Sequence, residues 1–424
     1  MRFLKMPIVL VWTAAAVGAV TPDSGRPVID DAELQQLGFV KFWEARVPLG
    51  EGDTLRDGYL VDEALYVTTT RGNLFALKAD VGLLRWGAEL TEADYHIFPP
   101  THVRAKDGNG PVVIPTTTGV FVFDRFSGEL RQKFMPPFTI GSSAVGYDDK
   151  LFMGGADGKF YSLLNDPSLA QPYKRWEVLV DGPVTAMPRL LGRDQLLFAT
   201  QGGVVYSCLG ADKTLLWSFR AGGAIVGAPA VGDDGVFAAS ADRSLYKLHP
   251  GTGAALWRAR FPRPLAEGPS IVGGKVLQYG ADQGMTALDP STGRETWRRL
   301  EARSLVSFSS SGITLFTIDG RLEVVDAETG EVRGAIDAPL VKTTVSNTRD
   351  DAVYLLGRGG GIVCARLDEV PYLRRQQVAA ARERLHRAPA GENDESARVL
   401  DSVVSEPEDP VGNDPLRSDR KTRP

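Results

Sequence analysis

The sequence predicts an all-β fold, an eight-bladed β-propeller of four-stranded antiparallel blades, closed into a ring by an N-terminal strand and followed by a short C-terminal helix. Three observations predict it. A strand–turn–strand pattern recurs eight times, at a period of about forty residues, which marks a propeller or a solenoid. Each copy carries the content of four short strands. The tryptophans fall at the end of the copies, and one extra tryptophan precedes the first copy.

The repeat is clearest in Leu245-Tyr246-Lys247-Leu248-His249-Pro250-Gly251-Thr252-Gly253, ending at Trp257, and in Thr286-Ala287-Leu288-Asp289-Pro290-Ser291-Thr292-Gly293, ending at Trp297. The short apolar cores end at Lys78, Asp124, Leu164, Leu209, His249, Asp289, Asp326 and Arg366. Each core alternates or runs apolar, as a buried strand does. The turn after it has its full form in Asp326-Ala327-Glu328-Thr329-Gly330. There the Asp side chain bonds the amides ahead of it, and the Gly takes the positive φ that tightens the hairpin. A strand such as Ala64–Thr68 precedes the core. Earlier still comes a strand of small residues, such as Gly227–Val231 or Gly268–Val272.

Of the seven tryptophans, Trp86, Trp176, Trp217, Trp257 and Trp297 close repeats, with Phe134 and Gly334 at the two other internal positions. Trp43 lies before any repeat, whereas the eighth repeat ends at Leu367 with no closing strand. The strand around Trp43 is therefore expected to complete the last blade. Closure of this kind removes exposed sheet edges. These six tryptophans are read as structural residues packed between blades.

The two ends differ from the repeat region. Arg2 and Lys5, the apolar stretch Met6–Val17 and the small residues Val17-Gly18-Ala19 predict an export signal over residues 1–19. That stretch is shorter than the ~20 residues a spanning helix needs. After cleavage the chain is expected to be exported, periplasmic or otherwise extracytoplasmic, and not membrane-spanning; the alternative reading of the same stretch is a retained anchor. The propeller is assigned to residues 38–370. Residues 371–388 are read as a basic amphipathic helix, and 389–424, poor in apolar anchors, as a disordered tail.

Net charge is −5, with acids and bases interspersed, so no basic face for nucleic acid is expected. The two cysteines, Cys208 and Cys364, fall in corresponding strands of repeats four and eight. Those repeats are opposite in an eight-membered ring, so free thiols are expected.

The series Tyr/Phe-Ala-Leu-Asp, then Thr-Gly, then Trp resembles the PQQ-like repeat of the quinoprotein propeller superfamily, across residues 38–370. The family includes quinoprotein dehydrogenases and the non-enzymatic BamB-like propellers of outer-membrane β-barrel assembly. Length, the export signal and eight repeats are nearer the second group. The enzymes have adjacent cysteines beside the cofactor and acidic residues around calcium. This chain has two distant cysteines and no such acidic set, so neither PQQ nor calcium is expected. BamB-like members are typically lipoproteins, and the lipid-bearing cysteine is lacking here.

No catalytic or metal-binding constellation is read from the sequence. His249 takes the place of a turn Asp, and His386 lies on the basic C-terminal stretch. His96 and His102, six residues apart with no cysteine near, are assigned to the surface or rim. Possible channel-lining residues on or near the small-residue strands are His102, Ser142, Ser143, Thr185, Ser270, Ser309, Lys342 and Thr343. The resulting expectation is a non-catalytic scaffold for protein–protein interactions in the cell envelope, possible partners being envelope proteins of the outer-membrane assembly system. The alternatives are a carbohydrate- or peptide-binding propeller and, third, a PQQ-dependent oxidoreductase.

Overall fold

The computed structural model describes residues 11–13 and 27–368, apart from 94, 107, 167, 170 and 171. The expected C-terminal helix and tail lie outside the described residues, as does most of the expected export signal.

Within residues 55–367 the chain forms consecutive antiparallel sheets, eight in all. Blade one consists of Leu55–Val61, Ala64–Thr69, Asn73–Lys78 and Leu83–Glu89. First strands of neighbouring blades meet at several seams, as between blades eight and one, two and three, and five and six, and the fourth strand lies at the other edge of each sheet. The second and third strands are almost wholly buried, as in Val112–Thr116 and Gly119–Phe123 of blade two. Apolar faces of adjacent blades make the core, which is divided among the seams. Trp86 and Tyr66 of blade one, for instance, pack with Ile114, Phe121 and Phe123 of blade two.

The ring closes as the count of strands requires. Blade eight supplies Val341–Val345, Val353–Gly357 and Gly361–Leu367, and Phe39–Arg46 pairs with the last of these. The register runs from Phe39 opposite Leu367 to Arg46 opposite Gly361, with Trp43 opposite Cys364. Cys208 and Cys364 are both free and buried, in blades four and eight.

The tryptophans act as bolts between blades. The indole Nε1 of Trp43 donates to Ala79 O, Trp86 to Arg125 O, Trp176 to Gly210 O, Trp217 to Pro250 O, Trp257 to Pro290 O and Trp297 to Ala327 O, at 2.8–3.2 Å. Each acceptor lies in the outer turn of the next blade. The turn glycine sits against the ring: a Cβ at Gly128 would overlap the Trp86 ring, and its φ of +74° is itself unfavourable for an L side chain. Blade four departs from this rule. Lys213 holds the equivalent left-handed position at φ 60°.

At the seventh closing position Gly334 replaces tryptophan. The reason lies at the N-terminus, in a helix over Asp31–Gln36 that the repeat pattern did not foresee. Glu33 accepts the Asp30 N–H at 3.2 Å, fixing the first turn. Leu34 and Leu37 join Ile336, Val341 and Leu355 in one buried cluster. A Cβ at Gly334 would press on Leu37, so the leucine fills the space that tryptophan takes elsewhere.

Two expectations about strand content need amending. Blade one has five strands: the backbone of Val11–Thr13 pairs antiparallel with the outer edge of Leu83–Glu89. The outer strand of an open blade leaves unpaired amides and carbonyls, and this one is taken up by the chain itself. The small-residue strands are also shorter than read. They begin at Ala230 and Ser270; Gly227 and Gly268 lie in the preceding links, packed so tightly that a Cβ on Gly227 would overlap the Gly268 backbone and one on Gly268 the Ala228 backbone.

Candidate functional site

The inner strands and the turns at their ends bring polar groups of neighbouring blades together. Thr101 Oγ1 lies 3.4 Å from Ser143 Oγ, and Ser143 Oγ donates to Pro99 O at 2.5 Å. Ser142 is fully buried; its hydroxyl donates to Ser143 O and accepts from Gly154 N–H, both at 2.9 Å. Thr185 is half-buried and accepts from Gln201 Nε2 at 3.3 Å. Ser270 and Thr343 are half-buried on the inner strands of blades six and eight. Ser309 instead ends the hairpin before Gly312, with its Oγ 2.7 Å from Ser311 Oγ. Lys342 is exposed and donates to Thr54 Oγ1 at 2.7 Å, joining blade eight to blade one. Partial desolvation of its ammonium, together with the positive Arg358 nearby, lowers its pKa. Several of these hydroxyls are therefore engaged in holding turns and blade seams.

Larger inter-blade ties come from arginines that periodicity alone does not single out. Arg104, in the loop after the inner strand of blade two, reaches past blade three to donate to Gly192 O at 2.7 Å and Leu190 O at 3.2 Å. Arg303 of blade seven forms a two-pronged pair with Glu267, at 2.8 and 3.0 Å, while its guanidinium covers the Tyr279 ring.

The densest polar cluster stands at the seams of blades eight, one and two. His102 is buried. Its Nε2 lies 2.8 Å from Tyr66 OH and its Nδ1 2.8 Å from Asp62 Oδ2. Arg125 Nη1 approaches the same Nδ1 at 3.2 Å. Glu63 receives Arg85 and Arg125, both at 3.5 Å, and Arg349 donates to Asp62 O. The His102 hydrogen bond, reinforced by Arg349 and Arg125, holds the Asp62 carboxyl below its ordinary pKa.

Among the described residues Asp62, Glu63 and His102 form the group whose ligand atoms converge closely enough to hold a metal. Three guanidiniums already neutralise its carboxylates, so the chemistry fits an ion-pair tie across two seams better than a cation seat. Sequence reasoning assigned His102 to the rim or channel and missed Asp62, Glu63, Tyr66, Arg85, Arg125 and Arg349. The available signal was weak: Asp62 and Glu63 form the first hairpin turn, where acids are common.

Exposed apolar side chains mark the outer strands. Leu215, Leu216 and Leu256 are exposed on the closing strands of the adjacent blades four and five. Among the described residues no helix is long and apolar enough to cross a membrane.

Comparison with known proteins agrees with this architecture. BamB from Moraxella catarrhalis superposes with a TM-score of 0.62 at 15% identity, over 79% of this chain and 99% of that one. The computationally designed Ika8 protein gives 0.59 at 16% identity, over 76% and 98%. Sqt1 from Saccharomyces cerevisiae gives 0.59 at 12% identity, over 76% and 97%. At such identities the likeness is one of fold. A comparison with curated protein sequences finds no match. The family model described as outer membrane protein assembly factor BamB matches residues 170–258 and 201–382, together half of the chain. With its repeats, its bolted seams and its ring closed from the N-terminus, the chain belongs to this family of PQQ-like propellers.

Proposed function

We propose that the protein is an exported, non-catalytic propeller scaffold that binds other envelope proteins and serves outer-membrane protein assembly. The family match over half of the chain carries this reading. The structure adds two supports. The polar cluster at His102 is engaged in inter-blade pairs, and Leu215, Leu216 and Leu256 stand exposed on neighbouring blades. Exposed apolar groups on a rigid ring are what a binding surface for other proteins requires.

Affinity-tagged full-length protein, crosslinked in its native envelope and recovered, tests the reading. β-barrel assembly proteins should be enriched, and Leu216→Asp with Leu256→Asp should reduce their recovery while the thermal midpoint stays unchanged. Recovery without envelope proteins, or a bound-quinone absorbance on adding PQQ and calcium, would overturn it.

A further inference from the structure

The turn between the second and third strands of blade eight breaks the charge pattern of the ring. In blades three, five, six and seven the middle residue of that turn is an aspartate: Asp157, Asp242, Asp282 and Asp319. In blade eight it is Gly359, with Arg358 before it and glycine at 357, 360 and 361. In blade one it is Arg71. Acid is thus lost and base gained on the two blades where the ring closes.

The same turn forms a pocket. Its lining joins Arg46 and Arg358 to the backbone of Gly357, Gly359 and Gly361, and no carboxylate takes part. Pro27, Val28 and Leu340 give it an apolar wall. Glycine is needed here, because a Cβ at Gly357 or Gly361 would overlap Val28. Arg46 Nη1 donates to Gly359 O at 3.1 Å, which holds the guanidinium at the turn. Arg358 is exposed and forms no ion pair among the described residues. Lys342 stands close by, since Val341 pairs with Gly357. Partial desolvation and then the charge of Arg358 lower the Lys342 pKa, against the pull of Asp57 and Asp53. Both acids already serve other groups. Asp57 lies 3.7 Å from Arg56 Nε, and Asp53 accepts from the amides of Thr54 and Arg71 at 2.9 and 3.0 Å. Positive charge is therefore in local excess, on a chain whose net charge is −5.

We propose that this pocket binds a phosphate monoester group, seated on the Gly357–Gly361 turn between Arg46 and Arg358, with Lys342 adding to the charge. Guanidiniums meet phosphate oxygens with paired N–H donors, and a glycine turn lets the group approach the main chain closely. The apolar wall excludes water from one side and strengthens each charge interaction. Two guanidiniums and an ammonium suit a dianion better than a carboxylate. The group is carried either by a soluble molecule or by a lipid headgroup. The proposal is independent of the scaffold reading.

The test has two arms, both on full-length protein at physiological salt, which screens loose surface attraction. Glycerol 3-phosphate is titrated calorimetrically. Sedimentation is measured with phosphatidylcholine vesicles containing phosphatidic acid, which presents the same monoester on a lipid. Saturable binding in the first arm alone assigns a soluble ligand. Sedimentation that phosphatidylglycerol vesicles do not reproduce assigns the headgroup. In whichever arm binds, Arg358→Gln should weaken binding about tenfold, the loss of a charge-assisted contact. Gly359→Asp, which restores the acid of the other blades, should abolish it. Should the thermal midpoint show that Gly359→Asp does not fold, Lys342→Gln replaces it and should weaken binding. Arg263→Gln, at an exposed arginine paired with Asp282, should bind as the wild type does. Absence of binding in both arms, equal losses from Arg358→Gln and Arg263→Gln, or equal sedimentation with phosphatidylglycerol would overturn the site.

Discussion

Trp43 Nε1 donates to the carbonyl of Ala79 at 3.0 Å, so the strand that completes blade eight also bolts onto the outer turn of blade one. The indole packs beside Tyr354, with ring centres 6.0 Å apart, and Gly82 lies against its face. One side chain thus joins the last blade to the first.

Trp43→Ala should destabilise the whole ring by about 3–5 kcal/mol, the cost of truncating a buried aromatic. Trp43→Phe keeps most of the packing and loses the hydrogen bond to Ala79, a change of about 1 kcal/mol. Urea unfolding followed by tryptophan fluorescence and circular dichroism measures both. An alanine variant as stable as the wild type would refute the bolt.

The exchange of tryptophan for glycine at position 334 makes a coupled prediction. Leu37→Ala should cost roughly 2–4 kcal/mol, because it empties a buried site. Gly334→Trp should destabilise the wild type and lose less, or nothing, in the Leu37→Ala background. The double-mutant cycle reads the coupling directly.

Lys213 holds a left-handed conformation where blades one, two, five, six and seven place Gly82, Gly128, Gly253, Gly293 and Gly330. Lys213→Gly is expected to stabilise by roughly 0.5–1 kcal/mol, the strain relieved less the entropy of the added glycine. Gly330→Ala is expected to do the opposite. Its φ is +72° and its Cβ would overlap Trp297. Thermal midpoints compared side by side decide the sign of each.

The turn aspartates set the acid limb of stability. Amide hydrogen bonds from Thr329 and Glu328, with Arg333 alongside, hold Asp326 at about 2. Thr292 does the same for Asp289 through its amide and hydroxyl, lowering that pKa. A carboxyl depressed in the folded state contributes fully above its unfolded value and loses that contribution as pH falls through the folded one. Stability should therefore be level near neutrality and fall between about pH 4 and pH 2. Asp326→Asn should be less stable at pH 7 and show a shallower acid loss, seen in urea midpoints taken across that range.

Burial pushes the Cys208 and Cys364 thiols up to about 12. Thiolates are the reactive form, so neither should react with iodoacetamide in the folded protein, and both should react in denaturant. Intact mass reports the two states. Labelling at native pH would show local opening of blade four or eight.

Much of the ring was legible because a propeller repeats its packing problem. Most seams use an aromatic and most outer turns a left-handed residue, so Asp326 through Gly330 and the series from Trp86 to Trp297 announce the blades. Closure followed from the same logic, since Trp43 stood outside any copy. The helix at Asp31–Gln36 was hidden because it solves a single seam, although the missing tryptophan at Gly334 was its trace. The tie among Asp62, His102 and Arg125 was hidden for another reason. Its members come from turns and links of different blades, and no spacing along the chain relates them. Strand addition by Val11–Thr13 depends on main-chain groups, which composition does not display.

Closure from the N-terminus also dictates the order in which the protein can finish folding. Arg46 donates to the carbonyl of Gly359, 313 residues further along. A chain synthesised amino end first presents Phe39–Arg46 early and Gly361–Leu367 much later. The middle blades can form from neighbouring contacts as they emerge, but the seam between blades seven, eight and one must wait for the whole chain. Through that interval Trp43 and the strand that carries it are without their partner. The nascent ring is then an open arc with a sticky end.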